Sequence, residues 1–284
     1  MAEADEGLFL PVTEEDEYVF HYTRRRTALE DILPDKKLRL SPFCDTNDPR
    51  EAKDWSFSFT SSEQRLFAAT SSEKSWDEVE QAKIRSTALT TKAKRESKLL
   101  CTTLDDRDAQ SAEFTLYARG YARERMWAQY ADHHKGVCLA FRRRLLDKQI
   151  RKQFDSNIVY RERVKYSNDN VREAFFLSYD KIESSSLEDA VAEVLAEYWK
   201  DLFFHKVKDW ELENEYRWLV VTPGNAEPNY VDCGASLCGV ILGVDFPKVD
   251  DVLVRKLCGE TVAIQRLGYR NGYPELWEPE DQMP

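Results

Sequence analysis

The apolar residues of this chain change period again and again, from two residues to about 3.6 and back. Strand-like runs (KLRLS at 37–41, WSFSFT at 55–60, LLCTTL at 99–104, KGVCLAF at 135–141) alternate with helical ones. The clearest helix is SLEDAVAEVLAEYWKDLFFHK, where Leu187, Val191, Val194, Leu195, Tyr198 and Leu202 recur at helical spacing. After it ENEYRWLVV, NYVDCG and LCGVILGV read as strands, VDDVLVRKL as a helix and TVAIQRL as a last strand. These elements interleave without a linker or a repeat, so one α+β domain over 1–284 is expected. Residues 61–97, rich in Ser, Thr, Lys and Glu, read as a helical insertion whose long helix lies on the surface. Phe114, Tyr117, Tyr121, Trp127 and Tyr130 fall roughly on one helical stripe, interrupted by Gly120.

Bulk properties narrow the class. At 42% apolar and 12% aromatic residues the chain has the makings of a sizeable core. No apolar run approaches the ~20 residues of a membrane-spanning helix, and the acidic start MAEADEGLFL lacks a basic leader, so a soluble cytoplasmic protein without membrane partners is expected. A net charge of −11 argues against a global attraction for polyanions. Two local RRR runs, at 24–26 and 142–144, read as solvated charge, the first also within reach of a phosphate. Six scattered cysteines have no metal-site spacing and read as reduced, buried thiols. Phosphate-loop, dinucleotide, zinc-protease and serine-hydrolase signatures are missing, and no metal site is expected.

Three stretches gather chemistry. Residues 17–55 read as strand, short helix, strand and polar loop, with Thr27 as helix N-cap and Pro34 as stop. His21, Tyr22, Asn47, Asp48 and Glu51 fall at the ends of these elements. In ELENEYRWLVV, strand alternation puts Glu213, Glu215 and Arg217 on one side, opposite Tyr216 and Trp218. Two arrangements fit: a solvent-facing ladder at a sheet edge, which the residues alone favour, or a carboxylate aimed into a cleft beside a cation. In RERMWAQYADHHKGVCLAF, Trp127 and Tyr130 are either core or a platform for a planar ring, with core favoured. His133 and His134 read as turn residues.

Taken in order, NDPRE (47–51), MWAQYADHHKGVCLAF (126–141), VKDWELENEYRWLV (207–220) and LCGVILG (237–243) resemble an uncharacterised, mainly bacterial family of domains of unknown function, over about residues 18–245. The strand–helix–strand opening with HYT and LRLS also resembles mono-ADP-ribosyltransferases, especially toxins that modify DNA or RNA. That second likeness implies a central antiparallel or mixed sheet, split to form a cleft, and NAD as substrate. It implies Glu215 as the catalytic carboxylate, His21 holding the adenosine-side ribose, and Tyr22 or Tyr130 stacking on nicotinamide. Thr23, Asn47, Asp48, Glu51, Trp127 and Tyr130 would line the nucleotide site, with Arg217 or Arg24 to Arg26 on pyrophosphate. The acceptor, protein or nucleic acid, is left open, as is simple NAD hydrolysis. Bacterial antiphage defence or a toxin with a cognate antitoxin or accessory partner is the implied setting. A nucleotide- or partner-binding module without catalysis is the alternative, and a metal-dependent nuclease using Asp48, Glu51 and Glu215 a second.

Overall fold

The computed structural model describes residues 18–60, 73–106, 116–169 and 175–278. Phe114 and residues 61–72 of the expected insertion lie outside the described residues, as does the acidic start of the chain. Along the chain, β1 (Tyr18–Thr23) leads through helical turns at α1 (Arg25–Thr27), a π-turn at Ala28–Ile32 and α2 (Leu33–Asp35) into β2 (Lys37–Pro42). Next come α3 (Pro49–Ala52), β3 (Ser58–Thr60), α4 (Glu73–Glu96) and β4 (Ser97–Thr103). Then follow α5 (Glu124–Tyr130), β5 (Val137–Arg142), α6 (Arg143–Gln153), β6 (Ile158–Arg163), β7 (Lys165–Tyr166) and β8 (Phe176–Ser178). Helices α7 (Tyr179–Ser184), α8 (Leu187–Glu197) and α9 (Trp199–Phe203) precede β9 (His205–Lys206), β10 (Glu215–Val221), β11 (Asn229–Asp232) and β12 (Leu237–Leu242). The described chain ends with α10 (Asp251–Cys258), β13 (Ala263–Arg270) and β14 (Tyr273–Trp277).

Ten strands form one open mixed sheet in the order β11-β2-β4-β1-β5-β12-β13-β14, with β10 also on β4 and β6 on β10. Every pairing in it is antiparallel except β12 with β13. Period-two alternation divides the core. Val19, Leu100, Leu139, Trp218 and Val240 pack on one face against Leu146 and Ile150 of α6 and Val254 of α10. The other face carries two separate clusters: Phe20, Tyr22, Ala140 and Ile241 under Trp127 of α5, and Leu99 and Leu219 under Phe43, Trp55 and Phe203. The gap between those two clusters positions the site.

Several local expectations are corrected. Thr27 has helical dihedrals and caps nothing, because the helical turn begins earlier, at Arg25 directly after the extended Arg24. Pro34 sits in the first turn of α2, where its missing N–H is tolerated, and Lys36 in left-handed conformation ends the helix. WSFSFT yields only β3. The long amphipathic helix is broken at Tyr198 into α8 and α9. The aromatic stripe is not one helix: Tyr117 lies in a 3-10 turn, and Gly120 turns the chain where a Cβ would lie 2.4 Å from the Phe20 ring. Helix α4 is not purely a surface helix. It buries a polar row, Ser86, Thr90 and Lys94, whose Thr90 Oγ1 donates to the Trp55 carbonyl and Lys94 Nζ to the Lys53 carbonyl. β14 adds an edge strand where the sequence reading, ending at TVAIQRL, assigned no element.

Close backbone approach fixes the turn before β5. Gly243 donates to the Gly136 carbonyl, and a Cβ on Gly243 would lie 2.0 Å from the His134 carbonyl oxygen. Gly243→Ala is therefore expected to destabilise the fold by about 1–3 kcal/mol, read as a lower urea midpoint. An unchanged midpoint would contradict this packing.

Candidate functional site

The centre of the sheet is loosely sewn. β1 and β4 share the single register pair Phe20 with Thr103, while β2 meets β4 at Leu99 and Lys98. Between these contacts β4 has no strand partner on that side, and its Cys101 carbonyl lies 3.1 Å from Nδ1 of His21 instead. A cavity of about 260 Å³ opens at this junction. Its walls include His21 and Tyr22 of β1, Arg39 and Ser41 of β2, Asn47, Cys101, Met126 and Tyr130, together with Lys206, Glu213, Glu215 and Arg217.

One side of the cavity is a buried chain of ions. Arg217, completely enclosed, donates to Glu51 at 2.6 Å, to the Phe203 carbonyl at 2.7 Å and to Glu215 at 2.9 Å. Lys206 joins Glu215 at 3.0 Å to Glu213 at 2.8 Å. The Tyr130 hydroxyl donates to Glu213 at 2.7 Å, and Asn47 bonds the same hydroxyl. The Cys101 thiol bonds Glu215, and the Glu215 N–H donates to the Tyr166 hydroxyl at 2.9 Å. Three carboxylates thus share two cations.

Local sequence explains the placement. Asn214 takes a left-handed conformation, with its side chain donating to the carbonyls of Leu104 and Asp105, and so launches β10 at a fixed point. Alternation then aims Glu215 and Arg217 to one side. Glu213 is not on the strand but ends a 3-10 turn, and the Asn214 turn returns it to the same cavity. The solvent-facing edge ladder is corrected: β10 is paired on both sides, by β4 and β6, and all three charged groups are buried.

The electrostatics separate the carboxyls. Burial opposes ionisation of Glu215, but Arg217 and Lys206 outweigh it and hold the carboxyl at about 2. Burial dominates at Glu51 and pushes it above its ordinary value despite Arg217. Burial also lowers the His21 imidazole, keeping it neutral at neutral pH. For Lys206, burial works against the charge, yet Glu215, Glu51 and Glu213 together raise it.

Of the residues expected at a site, His21, Tyr22, Asn47, Tyr130, Glu215 and Arg217 meet in this cavity. Glu51 stands behind Arg217 rather than on the wall. Asp48 caps α3, accepting from the Arg50 N–H at 2.9 Å, and Thr23 is sealed in the β1–β5 pairing. Trp127, placed at the nucleotide site by the transferase likeness and in the core by the residues alone, is core: fully enclosed, its Nε1 donates to the Tyr121 carbonyl, leaving no face for a ligand. Tyr22 is edge-on to Trp127 and donates to the Gly120 carbonyl, so it forms wall more than platform. Arg24 to Arg26 lie off the cavity, with Arg25 on Asp250 and Arg26 on Glu30. Sequence reading missed Lys206 and Tyr166. The one available signal was a lysine set among Phe203, Phe204 and Val207, a charge in an apolar context. No metal-holding group of His, Cys, Asp or Glu occurs among the described residues. Arg217 already occupies the place between Glu51 and Glu215 where a nuclease would need its cation.

Residues 126–218 match a family described as protein of unknown function (DUF2971). The matched segment runs from α5 into β10, and so contains the W-x-x-Y and W-x-x-E-x-E-Y-R motifs with Lys206, Glu213 and Glu215, but not β1 or the NDPRE loop. Comparison with curated proteins and with solved structures gives no match. No described helix is long and apolar enough to cross a membrane.

Linkage gives the site a pH signature. A Glu215 held at about 2, against an ordinary 4.5, stabilises the fold fully above the ordinary value and loses that contribution as pH falls toward 2. Glu51 acts oppositely, its raised carboxyl favouring the fold at acid pH and losing that advantage as pH rises through the raised value. Glu215→Gln should therefore flatten the fall in urea midpoint between pH 4.5 and 2. An identical slope in the variant would show that Glu215 is not held ionised.

Proposed function

We propose that the junction cavity binds NAD and that Glu215 promotes cleavage of its nicotinamide–ribose bond, passing ADP-ribose to an acceptor or to water. The observation that supports this most is the Glu215 carboxylate, held ionised by Arg217 and Lys206 against its burial on the wall of a cavity that also carries Tyr130. The nicotinamide ring of NAD is cationic, and as its bond to the ribose breaks the positive charge moves onto the sugar carbon. The bonding pair leaves with neutral nicotinamide, the acceptor oxygen or nitrogen forms the new bond, and its proton passes to solvent or a nearby base. A unit negative charge at about 4 Å from that centre is worth about 4 kcal/mol at an intermediate effective dielectric. It is already oriented before the reaction, which is the condition for electrostatic catalysis.

The neighbouring groups take complementary roles. Tyr130, pinned by Glu213 and Asn47, offers a ring for the nicotinamide. The neutral imidazole of His21 suits a ribose hydroxyl. Arg39, 53% exposed at the cavity wall, replaces Arg24 to Arg26 as the guanidinium for pyrophosphate. The acceptor would be a protein or a nucleic acid, and a defence or toxin role would follow from modifying one in the cell.

A second reading rests on a specific feature. Glu215 is only 6% exposed, and one of its oxygens already accepts from both cations. Such a cluster also suits a nucleotide-binding module in which the ions only shape the pocket. Nicotinamide release from NAD, measured with and without cell extract, decides between them. The transferase reading predicts release that rises with extract and falls by about 10²-fold or more in Glu215→Gln. NAD binding without release in any condition would leave the binding module, and release unaffected by the substitution would remove Glu215 from the chemistry.

A further inference from the structure

The acidic chain carries one strongly basic segment, and its helix α6 lies on the side of the sheet away from the cavity. From Arg142 to Lys165 there are nine basic side chains and three carboxylates, although the whole chain has a net charge of −11. Two of those carboxylates are already engaged. Asp147 takes Arg151 at 3.3 Å, Arg161 and the Trp218 indole, and Glu162 pairs with Lys200 at 3.2 Å. On α6, Arg144, Lys148 and Lys152 recur every fourth residue and are all exposed, forming one ridge. Beside it runs β6, hydrogen-bonded among the described strands only to β10, with Arg163 and Arg161 in register with Tyr216 and Trp218. Tyr216 and Trp218 alternate with Glu215 and Arg217, so this surface and the cavity lie on opposite faces.

We propose that this α6–β6 surface docks nucleic acid through its phosphates. Six of the nine basic residues are arginines, whose planar guanidinium matches phosphate oxygens and stacks on bases. A membrane surface fits less well. An interfacial helix inserts its apolar face into lipid, and the apolar face of α6, Leu146 and Ile150, is buried against the sheet. The surface acts independently of NAD chemistry. Should that chemistry hold, it would bring a nucleic-acid acceptor to the protein without forming part of the cavity.

The test is fluorescence anisotropy of a labelled single-stranded oligonucleotide and its duplex across a KCl series, with phosphatidylserine vesicles in parallel. Non-specific binding with Kd on the order of 10⁻⁴ to 10⁻⁶ M near physiological salt is expected, weakening steeply as salt rises. Lys148→Glu with Lys152→Glu should weaken it about tenfold or more and reduce the salt slope, with thermal unfolding unchanged because both side chains are exposed. A double variant that is folded and binds as tightly as the parent would overturn the proposal. So would absence of binding at low salt, or binding to vesicles but not to nucleic acid.

Discussion

A single guanidinium organises the middle of this protein. Arg217 is wholly enclosed, and a charge in that position is tolerated only when its partners are also fixed. Those partners come from distant parts of the chain: Glu51 from α3, the Phe203 carbonyl from the end of α9, and Glu215 from its own strand. Through Glu215 the network reaches Lys206 on β9, then Glu213, and through Glu213 Tyr130 on α5. Elements that would otherwise be held by apolar packing alone are thus tied by charge around one cavity. Burial raises the Glu51 carboxyl while Arg217 and Lys206 hold Glu215 low, so the network assigns its charge unevenly. Glu215 lines the cavity wall, whereas Glu51 does not.

The cavity exists because the sheet is thin where it should be strongest. A fully paired β1–β4 ladder would fill the junction with backbone hydrogen bonds. One register pair leaves β4 carbonyls to be met by side chains, and His21 meets one of them. The apolar clusters under Trp127 and under Trp55 prop the two halves from either side without closing the gap. On the proposed reading, a cationic ring entering there would meet the Glu215 carboxylate and a pyrophosphate the exposed Arg39. The basic ridge on the reverse face does not compete with this arrangement, since the sheet separates them.

Much of the frame was legible. Alternation at β2, β4, β5, β10 and β12 is strong because each strand buries at least one face, while the grouping of His21, Asn47, Glu215 and Arg217 came only from the likeness to mono-ADP-ribosyltransferases. The limits were physical. Glu213, Glu215 and Arg217 read as an exposed ladder because charge on a strand usually faces water, and nothing local reveals that β6 and β4 enclose them. Trp127 and Tyr130 share a helical spacing but not a fate: one turn of α5 faces the core, the other the cavity. Lys206 gained its meaning only from β7 and β9 pairing across a long separation. The polar inner row of α4 hid its packing because Ser86, Thr90 and Lys94 are buried through hydrogen bonds rather than apolar area. Arg24 to Arg26 looked close to the site in sequence, yet the turn after β1 carries Arg25 to Asp250.

The most direct measurement is the imidazole NMR spectrum during titration with NAD. Of four histidines, only His21 lies on the cavity wall, while His133 is exposed in the turn after α5. The account predicts a saturable shift of the His21 resonances, with His133 unmoved. A His21 signal that stays fixed at saturating NAD, or a uniform change in all four, would contradict a nucleotide site at the β1–β4 junction.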